Sequence, residues 1–144
     1  MPDPLITVCP ACQKMNRLPA ARLAEKPNCG ACGQPLFAGK PVDVDSAGFD
    51  RHTRGDLPVL VDVWAPWCGP CRTMGPMFER AAATLEPAVR LLKLNLDNSQ
   101  DIAQRFGIQS VPTLLLLDHG RLKAQTAGAM DTARIVAWAR ANGA

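Results

Sequence analysis

The stretch Val59-Leu60-Val61-Asp62-Val63-Trp64-Ala65-Pro66-Trp67-Cys68-Gly69-Pro70-Cys71 decides how the rest of the chain is read. An apolar run broken only by Asp62 predicts a central strand covered on both faces. Two thiols then stand two residues apart where that strand hands over to a helix. The free N–H groups and positive dipole end of a helix N-terminus favour a thiolate there. Cys71, one turn on, is within reach of Cys68, so a disulfide can close between them. Asp62 supplies a carboxylate on the buried strand, and desolvation raises such a pKa towards neutrality, where it can accept a proton. These are the parts of a dithiol–disulfide exchange site.

Working outward, Gly33-Gln34-Pro35 and Gly39-Lys40-Pro41 are turn and linker signals, and Val42-Asp43-Val44 reads as a short first strand. Ser46 is expected to cap a helix through Arg54, ended by Gly55. From Cys68 to Leu85, Met74, Met77, Phe78, Ala81, Ala82 and Leu85 recur at helical spacing, with Pro76 as a kink. The two methionines read as core. Arg90 to Asn95 is the next strand, and Ser99 is expected to cap a helix carrying Ile102, Ala103 and Phe106 and ended by Gly107. Thr113–Leu117 and Leu122–Ala127 flank Asp118-His119-Gly120-Arg121 as a hairpin. Thr132 is expected to cap a last helix with Ile135, Val136, Trp138 and Ala139 inward. The expected order is βαβαββα, an α/β fold whose mixed central sheet is flanked by helices. No internal repeat stands out.

With 144 residues, 47% hydrophobic and 20% charged, the chain fits one ordinary domain with a small appendage rather than a disordered polymer. The net charge of +3 is not concentrated: Arg51, Arg54, Arg90 and Arg105 are scattered among acids. That pattern excludes a nucleic-acid stripe. The apolar stretch Leu114–Leu117 is far too short to cross a bilayer, so no membrane role is expected. Met1-Pro2-Asp3-Pro4 does not open like a secretory signal. Six cysteines without an export signal point to a reducing, cytoplasmic compartment, where thiols serve metals or redox chemistry. His52 and His119 have no ligand-spaced partners and read as surface or turn residues.

The other four cysteines form C-x2-C-x16-C-x2-C: Cys9-Pro10-Ala11-Cys12 and Cys29-Gly30-Ala31-Cys32. This is zinc-site spacing. Each pair predicts a knuckle whose backbone N–H groups point at sulfur, with Gly30 and Gly33 easing the second. Four thiolates suit one structural Zn2+ with no open position, and no organic cofactor is expected. Two disulfides or an iron site are the alternatives. Val8, Met15, Leu18, Leu23, Leu36 and Phe37 cannot make much core, so metal binding, on the order of 10–16 kcal/mol in finger peptides, would be the main folding force. Residues 1–45 carry five Lys/Arg and four Asp/Glu. Four thiolates plus Zn2+ make the module slightly acidic, which disfavours phosphate contacts. The expected division is a four-cysteine zinc ribbon over residues 1–38 and a second domain over residues 39–144.

The string Trp64 to Cys71 resembles the active site of the thioredoxin family, and further matches follow in order. They are Asp62, Pro76, Lys93-Leu94-Asn95-Leu96-Asp97, Val111-Pro112-Thr113 and Gly128. The resemblance spans Val42 to Ala144. It implies a thioredoxin fold, protein-disulfide reductase activity, and a monomer recharged by thioredoxin reductase with NADPH and acting on disulfide-containing proteins. It implies Cys68 as a partly exposed nucleophile, Cys71 as the more buried resolving thiol, and Lys93 modulating Asp62. It also implies a cis Val111–Pro112 bond opposite Cys68, with the Val111 backbone pairing with an extended substrate. Trp67, Gly69 and Pro70 would shape the loop, Trp64 would pack beside it, and Gly128 would join the flat substrate surface. A four-cysteine ribbon ahead of WCGPC resembles the family's bacterial zinc-containing branch, thioredoxin 2, over Met1 to Phe37. Arg72 and Pro66 depart from the usual single-domain pattern. Gly69-Pro70 resembles reducing members, whereas oxidases and isomerases usually carry histidine there. A zinc-dependent binding module on an inactive scaffold is the reading from another class. Zinc-held thiolates stay oxidisable, so zinc loss is expected to tune activity or stability under oxidative stress.

Overall fold

The computed structural model describes residues 2–144. At the N-terminus, β1 (Leu5–Val8) pairs antiparallel with β2 (Met15–Leu18), Leu5 opposite Leu18 and Val8 opposite Met15. The larger sheet holds β3 (Val42–Val44), β4 (Val59–Trp64), β5 (Arg90–Asn95), β6 (Thr113–Asp118) and β7 (Arg121–Ala127) in the order β3-β5-β4-β6-β7. The first three are parallel, β6 runs antiparallel to β4, and β7 runs antiparallel to β6. Helices α1 (Ser46–Thr53), α2 (Gly69–Leu85), α3 (Gln100–Arg105) and α4 (Thr132–Ala141) complete the fold. From β3 onward the order is βαβαβαββα: each strand and helix expected from the sequence forms, and the shorter order βαβαββα counts one βα unit too few.

The near-continuous apolar run of β4 has two faces to fill. Leu60 packs with Leu91, Leu114 and Leu116 under Met74, Phe78, Ala82 and Leu85 of α2 and Ile135 and Ala139 of α4. On the other face Val59, Val61 and Val63 meet Leu92, Leu94, Leu115 and Leu117, closed by Phe49 of α1 and Ile102 of α3. Side chains alternate along a strand, so Asp62 shares the Leu60 face and points towards α2.

Helix starts differ from expectation by one residue. Asp45 Oδ1 accepts from Gly48 N at 2.7 Å, and Asp131 Oδ1 accepts from Arg134 N at 2.9 Å. Each carboxylate satisfies an orphan N–H at the positive end of the helix, so it outcompetes the neighbouring hydroxyl. Ser46 is thereby free to donate to Asp101 Oδ1, and Thr132 to the Met77 carbonyl. Ser99 does stand at the start of α3, but its buried hydroxyl makes no cap bond. In the hairpin, His119 and Gly120 have φ of 51° and 77° and form the whole turn. Two left-handed residues match the twist of the flanking strands, so Asp118 and Arg121 pair and each strand gains a residue.

The small sheet is docked rather than tethered. Leu57, just before β4, completes a cluster with Leu5, Leu18 and Leu23. Arg90, expected only as one of several scattered bases at the start of a strand, is 2% exposed. Its Nη2 donates to the Val8 carbonyl at 3.0 Å and the Leu36 carbonyl at 2.8 Å, while its guanidinium lies 4.4 Å above the Phe37 ring. Its Nη1 meets Glu86 Oε2 at 3.4 Å, and Glu86 Oε1 accepts from Gly39 N at 2.8 Å. Burial pulls the Arg90 pKa down to about 10, so it is still charged at neutral pH. His52, expected at the surface or in a turn, is buried as well. It is 4% exposed, neither ring nitrogen has a hydrogen-bond partner, and burial with the charge of Arg90 holds its pKa down at about 4.

Candidate active site and metal centre

Cys68 caps α2, its Sγ accepting from Cys71 N at 3.2 Å, and the two cysteines are joined as a disulfide with Cα atoms 5.3 Å apart. Gly69 and Pro70 form the first turn of α2, where proline's missing N–H costs no helical bond. Cys68 is 5% exposed and Cys71 4%. The expected contrast between a partly exposed and a buried thiol is thus absent in the closed disulfide, where Cys68 Sγ is turned back towards the helix. Trp67 is the exposed element, at 65%, and its Nε1 donates to Asp97 Oδ1 at 3.2 Å. Asp97 was legible only as the end of a strand. The signal that points to it is an acid just past the C-terminal end of β5, the edge on which the dithiol sits.

The Val111–Pro112 bond is cis, and the Val111 carbonyl oxygen lies 3.7 Å from Cys68 Sγ. Gly128 donates its N–H to the Pro112 carbonyl at 2.9 Å with φ of 109°, a conformation that favours glycine. The start of β6, the end of β7 and the start of α2 thus converge around one sulfur.

Behind the disulfide, Asp62 is 1% exposed and borders a cleft of about 280 Å³ lined by Trp64, Cys71, Arg72, Pro76, Glu79 and Lys93. Neither carboxylate oxygen has a hydrogen-bond partner. Burial, opposed by the positive charge of Lys93, pushes the Asp62 pKa up to about 7. Lys93 sits beside Asp62 across β4 and β5, yet its Nζ lies 5.2 Å from the centroid of the Trp64 ring and makes no ion pair with the carboxylate. Trp64 therefore packs beside the dithiol and also holds the cation that faces Asp62. Arg72 donates to the Pro66 carbonyl at 2.8 Å, so the two departures from the usual single-domain pattern touch each other.

The cysteine quartet gathers at the other end of the sheet, beside the Arg90 end of β5. The seventeen residues of α2 at 1.5 Å each put its two ends about 25 Å apart, with Cys68 at one and Glu86 at the other. Two knuckles repeat one hydrogen-bond pattern. Cys9 N bonds Lys14 O at 3.0 Å and Gln13 N bonds Cys9 O at 2.9 Å; Cys29 N bonds Gln34 O at 2.7 Å and Gly33 N bonds Cys29 O at 2.9 Å. Ala11 N and Ala31 N each point at the first sulfur of their knuckle at 3.3 Å. Gln13 and Gly33 both take left-handed φ, 64° and 79°. The two knuckles are a short internal repeat, Cys-x-Ala-Cys in each, with Gln13 standing where the second has Gly33.

All four Sγ atoms lie within 4.8 Å of one another, with Cys9–Cys32 and Cys12–Cys29 at 3.7 Å. A tetrahedral ion with metal–sulfur bonds of about 2.3 Å requires sulfur–sulfur edges of about 3.8 Å. The quartet fits such an ion, and it would be a closed site with no position for substrate.

A dithiol at a helix N-terminus, a cis-proline loop facing it and a buried carboxylate behind define a thioredoxin-type thiol–disulfide oxidoreductase. The family model described as Thioredoxin matches residues 40–141, and that described as Thioredoxin 2, N-terminal, a zinc ribbon, matches residues 8–34. Thioredoxin C-3 of Corynebacterium nephridii is 36% identical over 135 residues, 93% of this chain and 92% of its own. Thioredoxin of Pseudomonas aeruginosa is 36% identical over 102 residues, covering 70% of this chain and 94% of its own. A solved thioredoxin of Malassezia sympodialis aligns with a TM-score of 0.64 at 33% identity, covering 71% of this chain and 90% of its own. The chain belongs to the thioredoxin family and is a protein-disulfide reductase.

Proposed function

We propose that the chain is a general reductant of protein disulfides, recharged by thioredoxin reductase at the expense of NADPH. The observation that carries the proposal is the Cys68–Cys71 disulfide at the start of α2 with Val111 O beside Cys68 and Asp62 behind Cys71. Thiolate Cys68 attacks one sulfur of a substrate disulfide, forms the mixed disulfide and expels the other sulfur as a thiolate. Cys71, its proton taken by Asp62, attacks Cys68 Sγ and releases the second substrate thiolate. Two electrons pass to the substrate and the Cys68–Cys71 disulfide remains. Asp62 suits the proton transfer because its pKa lies near 7. Lys93 limits how far burial raises it. The cis Val111–Pro112 segment offers a backbone edge for an extended substrate, with Trp67, Gly69, Pro70 and Gly128 forming the surrounding surface.

In the same reading residues 1–38 form the zinc module and residues 39–144 the thioredoxin domain. Cys9, Cys12, Cys29 and Cys32 hold one Zn2+, which supplies cross-linking and no chemistry of turnover. The protein works as a cytoplasmic monomer, and oxidation of the quartet with zinc loss ties it to oxidative stress. Insulin reduction with reductase and NADPH tests the central claim. Wild type should turn over and Cys68→Ser should fall to the uncatalysed rate. An inactive wild type would instead favour a binding module on a redox scaffold.

A further inference from the structure

The two knuckles share a backbone pattern but differ at their second position. The first has Pro10, which carries no N–H; the second has Gly30, whose N–H is able to donate. Its acceptor is Oδ1 of Asn16, on β2, at 2.9 Å. The same side chain turns its Nδ2 to Cys29 Sγ at 3.4 Å and to the Lys14 carbonyl at 3.3 Å. One amide therefore joins three parts of the ribbon: the end of the first knuckle, the backbone of the second and a candidate metal-binding sulfur. Among the described residues, no other side chain of this module outside the quartet donates to one of its sulfurs.

We infer that Asn16 is a positioning residue of the metal centre: it orients the second knuckle through Gly30 and donates to the Cys29 thiolate in the metal-bound state. This rests on the reading that the quartet holds zinc. The physical case is charge. Four thiolates around a divalent cation leave a net charge of −2, and each N–H aimed at a sulfur spreads that charge. Backbone groups supply such donors at Cys9, from Ala11 and Cys12, and Ala31 supplies one at Cys29. Asn16 adds a side-chain donor to the second knuckle. Outer-shell partners of this kind commonly change metal affinity 10–100-fold.

The acceptor and donor roles separate by substitution. Asn16→Asp keeps an oxygen for Gly30 N but loses the donor and sets a carboxylate beside the cage. Asn16→Ala loses both. The full-length reduced protein is loaded with Zn2+, and affinity is read by competition with a chromophoric chelator. Co2+-loaded samples report the thiolate-to-metal charge-transfer band. The expected result is a loss of about 10–100-fold in zinc affinity for both variants, with Asn16→Asp at least as weak as Asn16→Ala. The Co2+ charge-transfer band should move to lower energy, since a thiolate that loses a hydrogen bond gives up electron density more readily. Wild-type affinity and band position in Asn16→Asp would overturn the donor role, whatever Asn16→Ala does. A wild-type protein that takes up neither metal would overturn the zinc reading itself, and this inference with it.

Discussion

Cys68-x-x-Cys71 and Cys9-x-x-Cys12 are the same motif put to opposite uses. In both, the N–H three residues on points at the first sulfur, at 3.2 Å in one and 3.4 Å in the other. Beyond the second thiol the two diverge. Cys71 lies in the first turn of a seventeen-residue helix that runs on to Leu85, whereas after Cys12 the chain turns at once through left-handed Gln13. The groups facing the sulfurs differ too. Cys68 looks at the carbonyl of a cis-proline loop, while Cys9 looks at Cys32 of a second knuckle. A dithiol with no other sulfur opposite is left to exchange with substrates, whereas one faced by a twin is committed to a cage. The motif alone does not choose between them.

On the proposed zinc reading, the sharpest way to break that contrast is to treat the zinc-loaded, reduced protein with a chelator. If the quartet is the ribbon's core, binding free energy on the order of 10 kcal/mol is withdrawn. Amide protection in β1 and β2 should vanish by hydrogen exchange, while protection in the β4–α2 region persists. A ribbon that stays protected without metal would make the cage incidental.

Asp62→Asn tests the other pole. A folded pKa near 7 against an ordinary value of 3.8 means the folded state holds the proton more tightly than the unfolded state. The proton-linked stability is complete below about pH 4 and is lost as pH rises through 7, amounting to about 4 kcal/mol. Asn carries no such charge, so the variant should be more stable than wild type above pH 7 by up to that amount in denaturant titrations. Its rate of mixed-disulfide resolution should fall and lose the inflection near pH 7. A variant with unchanged stability and an unchanged pH profile would remove Asp62 from the proton path.

The smallest expected effect lies between the poles. Arg90→Lys keeps the charge but cannot reproduce the fork that serves Val8 O, Leu36 O and Glu86 together. Leaving one of these buried acceptors unpaired should cost about 1–3 kcal/mol in thermal unfolding. No loss would mean that the Leu57 cluster alone seats the ribbon.

Much of this was legible in the sequence because it rests on short-range chemistry. The apolar run of β4, the spacing of α2 and the sulfur spacing each follow from a periodicity that one stretch of chain must satisfy. The cis Val111–Pro112 bond was implied by resemblance and is found. The failures share a cause: each turned on which of two adequate groups wins in three dimensions. Asp45 and Ser46 can both cap a helix, as can Asp131 and Thr132, and the position of the first turn decides between them. Arg90 looks like one more scattered base, and the carbonyls of Val8 and Leu36 that receive it belong to a distant segment; His52 looks like a surface or turn residue and is buried. Asn16 has no signature in the sequence, since the partners that give it its role, Cys29 and Gly30, lie 13 and 14 residues away.

The sheet order β3-β5-β4-β6-β7 leaves two strands with a free side. One is β3, only three residues long, and the other is β7, which is largely exposed and carries Arg121 and Lys123. A short edge and a charged edge are both poor templates for another strand. On the proposed reading, disulfide-bearing chains are offered backbone at the cis-proline loop, while the two sheet edges resist being extended by a further strand.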